Sequence, residues 1–328
     1  MKKQKWYGIA LGVLGLSALL VVAVQKNEVK DNEQLYEAKF AFVAPKNWNK
    51  IAYGVVDADK EYGTLTKCIL YTQDKASNQA EALRYALLSG ADGIITGGME
   101  ENSDTEKVIL EAQAEGVPVV YVDSDLPGSA RSCYIGSDNY EIGKVAGEFL
   151  VQKTEGKANI CVVVSYENNT NQQERLQGLK DAIADYPDIQ ISLIVEGKSN
   201  RLILEKELPK VLQGDTEIDS IVCAEGASAR RCGQILRESG VRVEDYCIIG
   251  LDYYSDLAPQ IENGTYAALV CQNQYEMGYQ AVQYLKDVLD GKEREESVLH
   301  TEFELVTAEN VAEYTENIER EEIQWQVF

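Results

Sequence analysis

Six short clusters in this chain combine side chains that can hydrogen-bond or stack. They are Pro45-Lys46-Asn47-Trp48-Asn49, Gly97-Gly98, Asp123-Ser124-Asp125, the segment from Ser165 onward, Glu225-Gly226 and Asp252-Tyr253-Tyr254. Carboxylates and amides exchange hydrogen bonds with hydroxyls, and aromatic faces pack on C–H groups. The set therefore suits a small polyhydroxylated ligand. Other chemistry is poorly supplied. His300 is the single histidine, so there is no HExxH pair and no multi-histidine metal cage. Gly136-Ser-Asp-Asn-Tyr-Glu-Ile-Gly143-Lys144-Val145 has six residues between its glycines. A phosphate-binding P-loop needs a shorter spacing, and Ser or Thr where Val145 stands. Asp123-x-Asp125 lacks the rest of a calcium loop. Paired carboxylates are also the tools of glycoside hydrolysis; their separation is not given by sequence, and an acidic binding cleft accounts for them equally. No catalytic residue, metal ligand or cofactor is assigned. Arg230-Arg231 reads as a solvated helix face, with a docking contact as the alternative.

Each cluster follows an apolar run of strand type, either directly or after one intervening residue. Strands are predicted over 40–44, 68–72, 93–96, 118–122, 159–164, 189–195, 220–223, 247–250 and 267–271. Most are continuous apolar runs, as in strands covered on both faces. Helical periodicity falls between them, over 78–89, 105–114, 145–153, 174–184, 202–212, 227–239 and 277–289. Such alternation predicts an α/β fold with parallel sheets, and nine strands fit two lobes better than one sheet. Ligands of open parallel sheets sit beyond the C-terminal strand ends, where the clusters lie.

The chain has 328 residues, a formal charge of −23 and 45% apolar residues. That is globular composition with room for about two domains at ~100–200 residues each. The acidity argues against nucleic acid as a partner, because phosphate binding needs clustered cations. Lys2, Lys3 and Lys5 precede residues 6–24, nineteen residues without charge. At ~1.5 Å per residue this run spans most of a ~30 Å hydrocarbon core. It reads as a retained membrane anchor with everything after Gln25 outside; cleavage near Ala23, releasing the protein, is the alternative. Gly8-x-x-x-Gly12 within it is either ordinary glycine content or a helix-dimer contact. The seven cysteines include no CxxC. Cys68, Cys161, Cys223, Cys247 and Cys271 sit in apolar runs and are expected to be buried free thiols, without disulfides.

Over residues 38–316 the sequence resembles the type I periplasmic sugar-binding proteins, the ribose-binding-protein-like family. The segments that carry the resemblance are FAFVAPKNWNKIAYGVVDADKEYG, ALLSGADGIITGG, GVPVVYVDSDLPGSARSCYIGSDNYEIGKVAGEFL, ERLQGLKDA, IIGLDYY, and QNQYEMGYQAVQYL followed by FELVTAENV. Their order is more specific than any one of them. The resemblance implies two parallel-sheet, Rossmann-like lobes joined by a three-strand hinge, with crossings near 136–138, 272–273 and 300–302. Residues 38–136 with 272–301 would form lobe 1, and 137–271 with 302–316 lobe 2. A signal or anchor helix over 1–25 and a spacer over 26–37 precede them, and a tail over 317–328 follows. The lactose-repressor family shares this core but begins with a DNA-binding motif, where this chain has its apolar run.

The same resemblance assigns ligand contacts. Asp123 matches a carboxylate that accepts from sugar hydroxyls. Arg175, in QERLQG, matches an arginine whose fork bridges two oxygens. Asp252 in GLD and Gln272 at a crossing match further polar contacts. Tyr53 falls near an aromatic pair, and Trp48 is an alternative stacking face. Ribose binders of the family carry Asn at Glu225, Arg at Ser124, Asn at Gly97 and Phe at about Ser199. The pocket is therefore more acidic, Glu225 joins the expected contacts, and a cationic or amine-bearing ligand is an outside alternative. Asp123-Ser-Asp125 with Arg131 resembles a branch that takes various pentoses, hexoses or sugar-like signals. The implied function is a non-enzymatic extracytoplasmic receptor that closes on a sugar, polyol or similar small molecule and serves an ABC permease. The alternative is a membrane-anchored sensor presenting its closed form to a histidine kinase or another signalling partner.

Overall fold

The computed structural model describes residues 36–72, 77–98, 103–198 and 200–326. The expected anchor over 1–25 and Ser199 lie outside the described residues. Among those described, no helix is long and apolar enough to cross a membrane.

Two six-stranded sheets organise the chain. The first is entered through β1 (Lys39–Pro45), β2 (Leu65–Tyr71), β3 (Gly93–Thr96), β4 (Val119–Val122) and β5 (Cys133–Ser137). Helices α1 (Asn49–Tyr62), α2 (Ser77–Leu88) and α3 (Ser103–Ala114) connect the first four of these strands. The second is entered through β6 (Ala158–Val164), β7 (Ile189–Glu196), β8 (Ser220–Cys223), β9 (Cys247–Leu251) and β10 (Ala268–Gln272). With them come α4 (Asn139–Lys153), α5 (Thr170–Ile183), α6 (Arg201–Leu212), α7 (Gly226–Glu238) and α8 (Ala258–Glu262). The chain then returns to the first sheet through α9 (Gln274–Leu289) and β11 (Val298–Thr301), and to the second through β12 (Phe303–Val306) and α10 (Val311–Gln326).

The strand orders are β11-β5-β4-β3-β1-β2 and β12-β10-β9-β8-β6-β7. The lobes are thus topological copies. Every pairing is parallel except β10 with β12. Alternation along the strands builds two core layers per sheet. Phe40, Phe42 and Ala44 pack on one face of β1, Ala41 and Val43 on the other. In the second lobe Cys161 and Val163 face one layer, Ile160, Val162 and Val164 the opposite one.

Three short strands, β5, β11 and β12, escape the sequence reading, and so do α8, α10 and α1. The α1 sequence NKIAYGVVDADKEY carries a glycine and two valines, weak helix formers. The reason lies far along the chain. A Cβ at Gly54 would overlap the Tyr275 carbonyl of α9, and one at Gly278 would overlap the Ile51 carbonyl of α1. The paired glycines let the helices touch backbone to backbone. The second lobe repeats the device: Gly143 of α4 meets the Arg175 carbonyl of α5, and Gly178 meets that of Tyr140.

β2 corrects a second expectation. It is the edge strand of its sheet and most of its residues are exposed or half-buried. Cys68 is therefore exposed rather than buried, and Cys247 is only partly buried. All seven cysteines are free thiols.

The chain crosses between the sheets after β5, after β10, and between β11 and β12. Two of these crossings run straight into capped helices. Asp138 accepts the Glu141 amide at the start of α4, and Asn273 accepts the Glu276 amide at the start of α9. The crossings also hold one another. The Ser137 and Thr301 hydroxyls are 3.3 Å apart and buried, and the Asn273 N–H donates to the Glu302 carbonyl at 3.2 Å. The final helix packs on the second lobe through Tyr314 and Ile318.

Candidate functional site

A cleft of about 650 Å³ lies between the C-terminal strand ends of the two sheets. All seven residues singled out in the sequence line it: Trp48, Tyr53, Asp123, Arg175, Glu225, Asp252 and Gln272.

The two aspartates hold equivalent places. Asp123 follows β4 and Asp252 follows β9, the third strand in each order. Both adopt the left-handed conformation, with φ of +65° and +63°. Asp is among the few non-glycine residues that tolerate it. Each backbone N–H bonds to the neighbouring strand, Asp123 to the Ile135 carbonyl at 3.2 Å and Asp252 to that of Val270 at 2.9 Å. The turn bends each strand end so that its carboxylate faces the cleft.

Arg175, in the second turn of α5, is buried and set among these acids. It donates through Nη1 to the Ala224 carbonyl at 2.8 Å and through Nη2 to Gln272 Oε1 at 3.4 Å. Gln272 in turn donates to Asp252 Oδ1 at 3.0 Å, and Gln274 to Oδ2 at 3.4 Å. Burial pushes the Asp123 carboxyl up to about 6, against the pull of the Arg175 guanidinium and with a push from Asp252. Burial also raises Asp252, opposed by the Gln272 hydrogen bond, Arg175 and Lys50. Arg175 Nε and Asn171 Oδ1 are buried and make no hydrogen bond within the protein. Buried polar groups normally find partners, so these two atoms leave hydrogen-bonding capacity unused on residues that line the cleft.

The aromatic contributions differ. Trp48 is buried, its indole stacked on Phe42 at 6.3 Å between ring centroids. A Cβ at Gly97 would lie 2.5 Å from Trp48 Cη2. The glycine that departs from the ribose binders' Asn thus makes room for this indole. Tyr53 sits at the rim, 40% exposed.

Glu225 has a structural task as well. It caps α7, accepting the Ala227 and Ser228 amides at 3.0 Å each and the Ser228 hydroxyl. Burial raises its pKa, and these hydrogen bonds restrain the rise. Both oxygens are engaged, which lessens the acidity the cleft offers a ligand.

Several lining residues went unnoticed in the sequence. Lys50, in the first turn of α1, reaches across the cleft, where its Nζ donates to the Tyr253 carbonyl at 3.0 Å and stands 5.5 Å from that ring's centroid. Asn171 donates to Ser124 Oγ at 3.1 Å, also from lobe to lobe. Its clue was spacing: Asn171, Gln172 and Arg175 share one side of the start of α5, just beyond a strand end. Among the described residues no group of three or more His, Cys, Asp or Glu could hold a metal ion.

Matched strand orders, three crossings and a polar cleft between lobes define a hinged binding protein. The chain belongs to the periplasmic binding protein family, in its type I, sugar-binding class; the family's periplasmic binding protein domain matches residues 41–293. The ribose import binding protein RbsB of Bacillus subtilis is 23% identical over 230 residues, 70% of this chain and 73% of that protein. GanP, a glucose-galactose binding protein from Geobacillus stearothermophilus, is 29% identical with a TM-score of 0.78, over 84% of this chain and 99% of GanP. A chain of the XylFII-LytSN complex is 25% identical with a TM-score of 0.75, over 83% of this chain and 98% of that one. Family membership implies an extracytoplasmic location, and the family consists of binding proteins rather than enzymes.

Proposed function

We propose that the protein binds a sugar or sugar-like polyol between its lobes by hinge closure and delivers it to an ABC-type importer. The observation that carries this reading is the placement of Asp123 and Asp252 at equivalent strand ends with Arg175 among them. The carboxylates accept from hydroxyls, the guanidinium donates to ring and hydroxyl oxygens, and Gln272 does both. Trp48 supplies an apolar wall for one face of the ring. Lobe 1 contributes Trp48 and Asp123; lobe 2 contributes Arg175 and Asp252, and also Gln272, which ends β10 of the second sheet rather than opening the lobe 1 segment expected at 272. A ligand reaches both sets only when the cleft is shut, and this difference in contacts drives closure. The Lys50–Tyr253 and Asn171–Ser124 hydrogen bonds support the same closed state. Relatives named as import binding proteins support the transport role.

A second reading, a sensor that presents its closed form to a membrane signalling protein, is supported by the similar chain solved in the XylFII-LytSN complex. Neighbouring genes discriminate: permease and ATPase subunits go with import, a kinase and response regulator with sensing. The ligand class is tested by a thermal-shift panel of pentoses, hexoses and polyols. A ligand present at 100 times its Kd stabilises by about 2.7 kcal/mol. Stabilisation by amino acids or polyamines, and by no sugar or polyol, overturns the sugar reading.

A further inference from the structure

A second cavity, about 260 Å³, opens beside the cleft between the starts of α6 and α7. Its wall holds Arg201, Arg230 and Arg231 against one acid, Glu225. Three cations less one anion give a formal +2, in a chain whose net charge is −23. The main cleft, by contrast, balances Lys50, Arg175 and Arg230 against Asp123, Glu225 and Asp252.

The arginines are available to a better partner. Arg201 pairs with Glu205, and Arg230 with Asp256 at 3.0 Å, all at exposed or half-exposed positions. Pairs of this kind hold weakly in water and exchange readily. Arg231 donates to Gln234 Oε1 at 3.2 Å and makes no ion pair among the described residues. The Glu225 oxygens are committed to the start of α7. Glu205 and Asp256 offset two of the guanidinium charges from outside the wall, and Arg231 is left as the cation with no acid beside it among the described residues.

The cavity is continuous with the cleft, since Asn47, Glu225, Arg230 and Tyr254 line both. Tyr254 forms the passage. The Arg230 guanidinium lies over its ring, 4.9 Å from the centroid, and its hydroxyl and the Asp252 carboxylate both flank Gly226. Asn47 is the wall contributed by lobe 1.

We propose that this arginine-lined annex binds an oxyanion, a phosphate or carboxylate group, carried by the molecule whose polyol part occupies the cleft. The inference rests on the polyol reading of the cleft and extends it to sugar phosphates or sugar acids. Guanidinium forks match the paired oxygens of such groups. A substituent on a ring held at Asp252 passes along Tyr254 to reach them. Asn47 meets the anion from the opposite lobe, so the anion also contributes to closure.

The test is calorimetric titration of the full chain with inorganic phosphate, ribose, ribose 5-phosphate, glucose, glucose 6-phosphate, galactose and galacturonate. The proposal expects at least one anionic sugar to bind about tenfold or more tighter than its neutral parent, and added salt to erode that advantage. The double variant R201Q/R231Q should abolish the advantage and leave any neutral sugar within twofold; thermal unfolding of the variant confirms its fold. Neutral sugars binding as tightly as their anionic forms, or an anionic preference unchanged in R201Q/R231Q, overturns the annex while the polyol reading stands. Phosphate binding that R201Q/R231Q removes, with no sugar of either kind bound, supports the anion site and overturns the polyol reading. Phosphate binding that the variant leaves intact marks an adventitious ion only and overturns the annex.

Discussion

Replacing Asp123 by Asn should make the protein more stable and a worse receptor. In the folded chain burial raises the Asp123 carboxyl to about 6; in the unfolded chain an aspartate titrates near ~3.9. Between these values the folded state holds a proton that the unfolded state has released. Stability therefore falls as pH rises through that window. At ~1.4 kcal/mol per pH unit the deficit above pH 6 is about 3 kcal/mol. Asn carries no charge, matches the shape and tolerates the left-handed φ of +65°. D123N should exceed the parent by about 2–3 kcal/mol at pH 7.5, and the difference should vanish below about pH 4. At ~2.1 cal/mol/K of unfolding entropy per residue, a chain of this size shifts by roughly 1.5 °C per kcal/mol, so the gain in Tm is on the order of 3–5 °C. Scanning calorimetry of both ligand-free proteins at pH 4, 5, 6 and 7.5 measures it. Sugar affinity should meanwhile drop by about tenfold or more, because a hydrogen bond to a charged acceptor is worth ~1.5–3 kcal/mol. A variant no more stable at pH 7.5, or one whose advantage is independent of pH, would refute the argument.

Arg175→Met takes the guanidinium away from Asp123 and Asp252 and strands the Ala224 carbonyl. It should cost ~3–5 kcal/mol at pH 7.5 and less at pH 5, where Asp123 takes up a proton, as read by urea denaturation at both values. Lys50→Met deletes the 3.0 Å bond to the Tyr253 carbonyl. Small-angle scattering should show a larger ligand-free radius of gyration, and sugar affinity should fall about threefold or more. Gly143→Ala drives a methyl group into the Arg175 carbonyl. Overpacking of this kind costs ~1–3 kcal/mol, and the displacement of α5 should weaken ligand binding in the same titration.

How far the sequence could be read depended on whether the deciding contact was local. Strands buried on both faces, such as β1, β3 and β4, announce themselves as apolar runs. The run over 68–72 looks the same, yet it lies at a sheet edge, and nothing local separates edge from centre. Cys68 is exposed for that reason. α1 was missed because Gly54 is a helix weakness in isolation and a packing requirement opposite α9. The cleft residues at strand ends, Asp123, Glu225 and Asp252, were legible from topology alone; Arg175 and Gln272 needed the order of the family's segments. Lys50 and Asn171 were not legible, since a polar side chain in a first helical turn looks solvated until the other lobe is placed over it. Glu225 shows the reverse failure. By type it reads as acidity offered to a ligand, whereas its oxygens serve the orphan amides of α7, and a Glu at that cap is an unusual choice that gives no warning.

The paired aspartates connect the stability of the receptor to its selectivity. Each occupies a backbone conformation that few residues accept, at the same strand end of duplicate sheets, so neither carboxylate has to be ordered when a ligand arrives. Keeping them there costs stability, because burial penalises their charge and Arg175 offsets only part of it. Under the proposed function, hydroxyl donors of a bound polyol would repay that cost, and would do so at both lobes only in the closed form. An apolar molecule of the same shape would close the cleft over two uncompensated carboxylates and meet the full desolvation penalty. On that reading, the groups that hold the ligand-free protein below its attainable stability would also reject ligands without hydroxyls. A variant that relieves the first effect must relax the second.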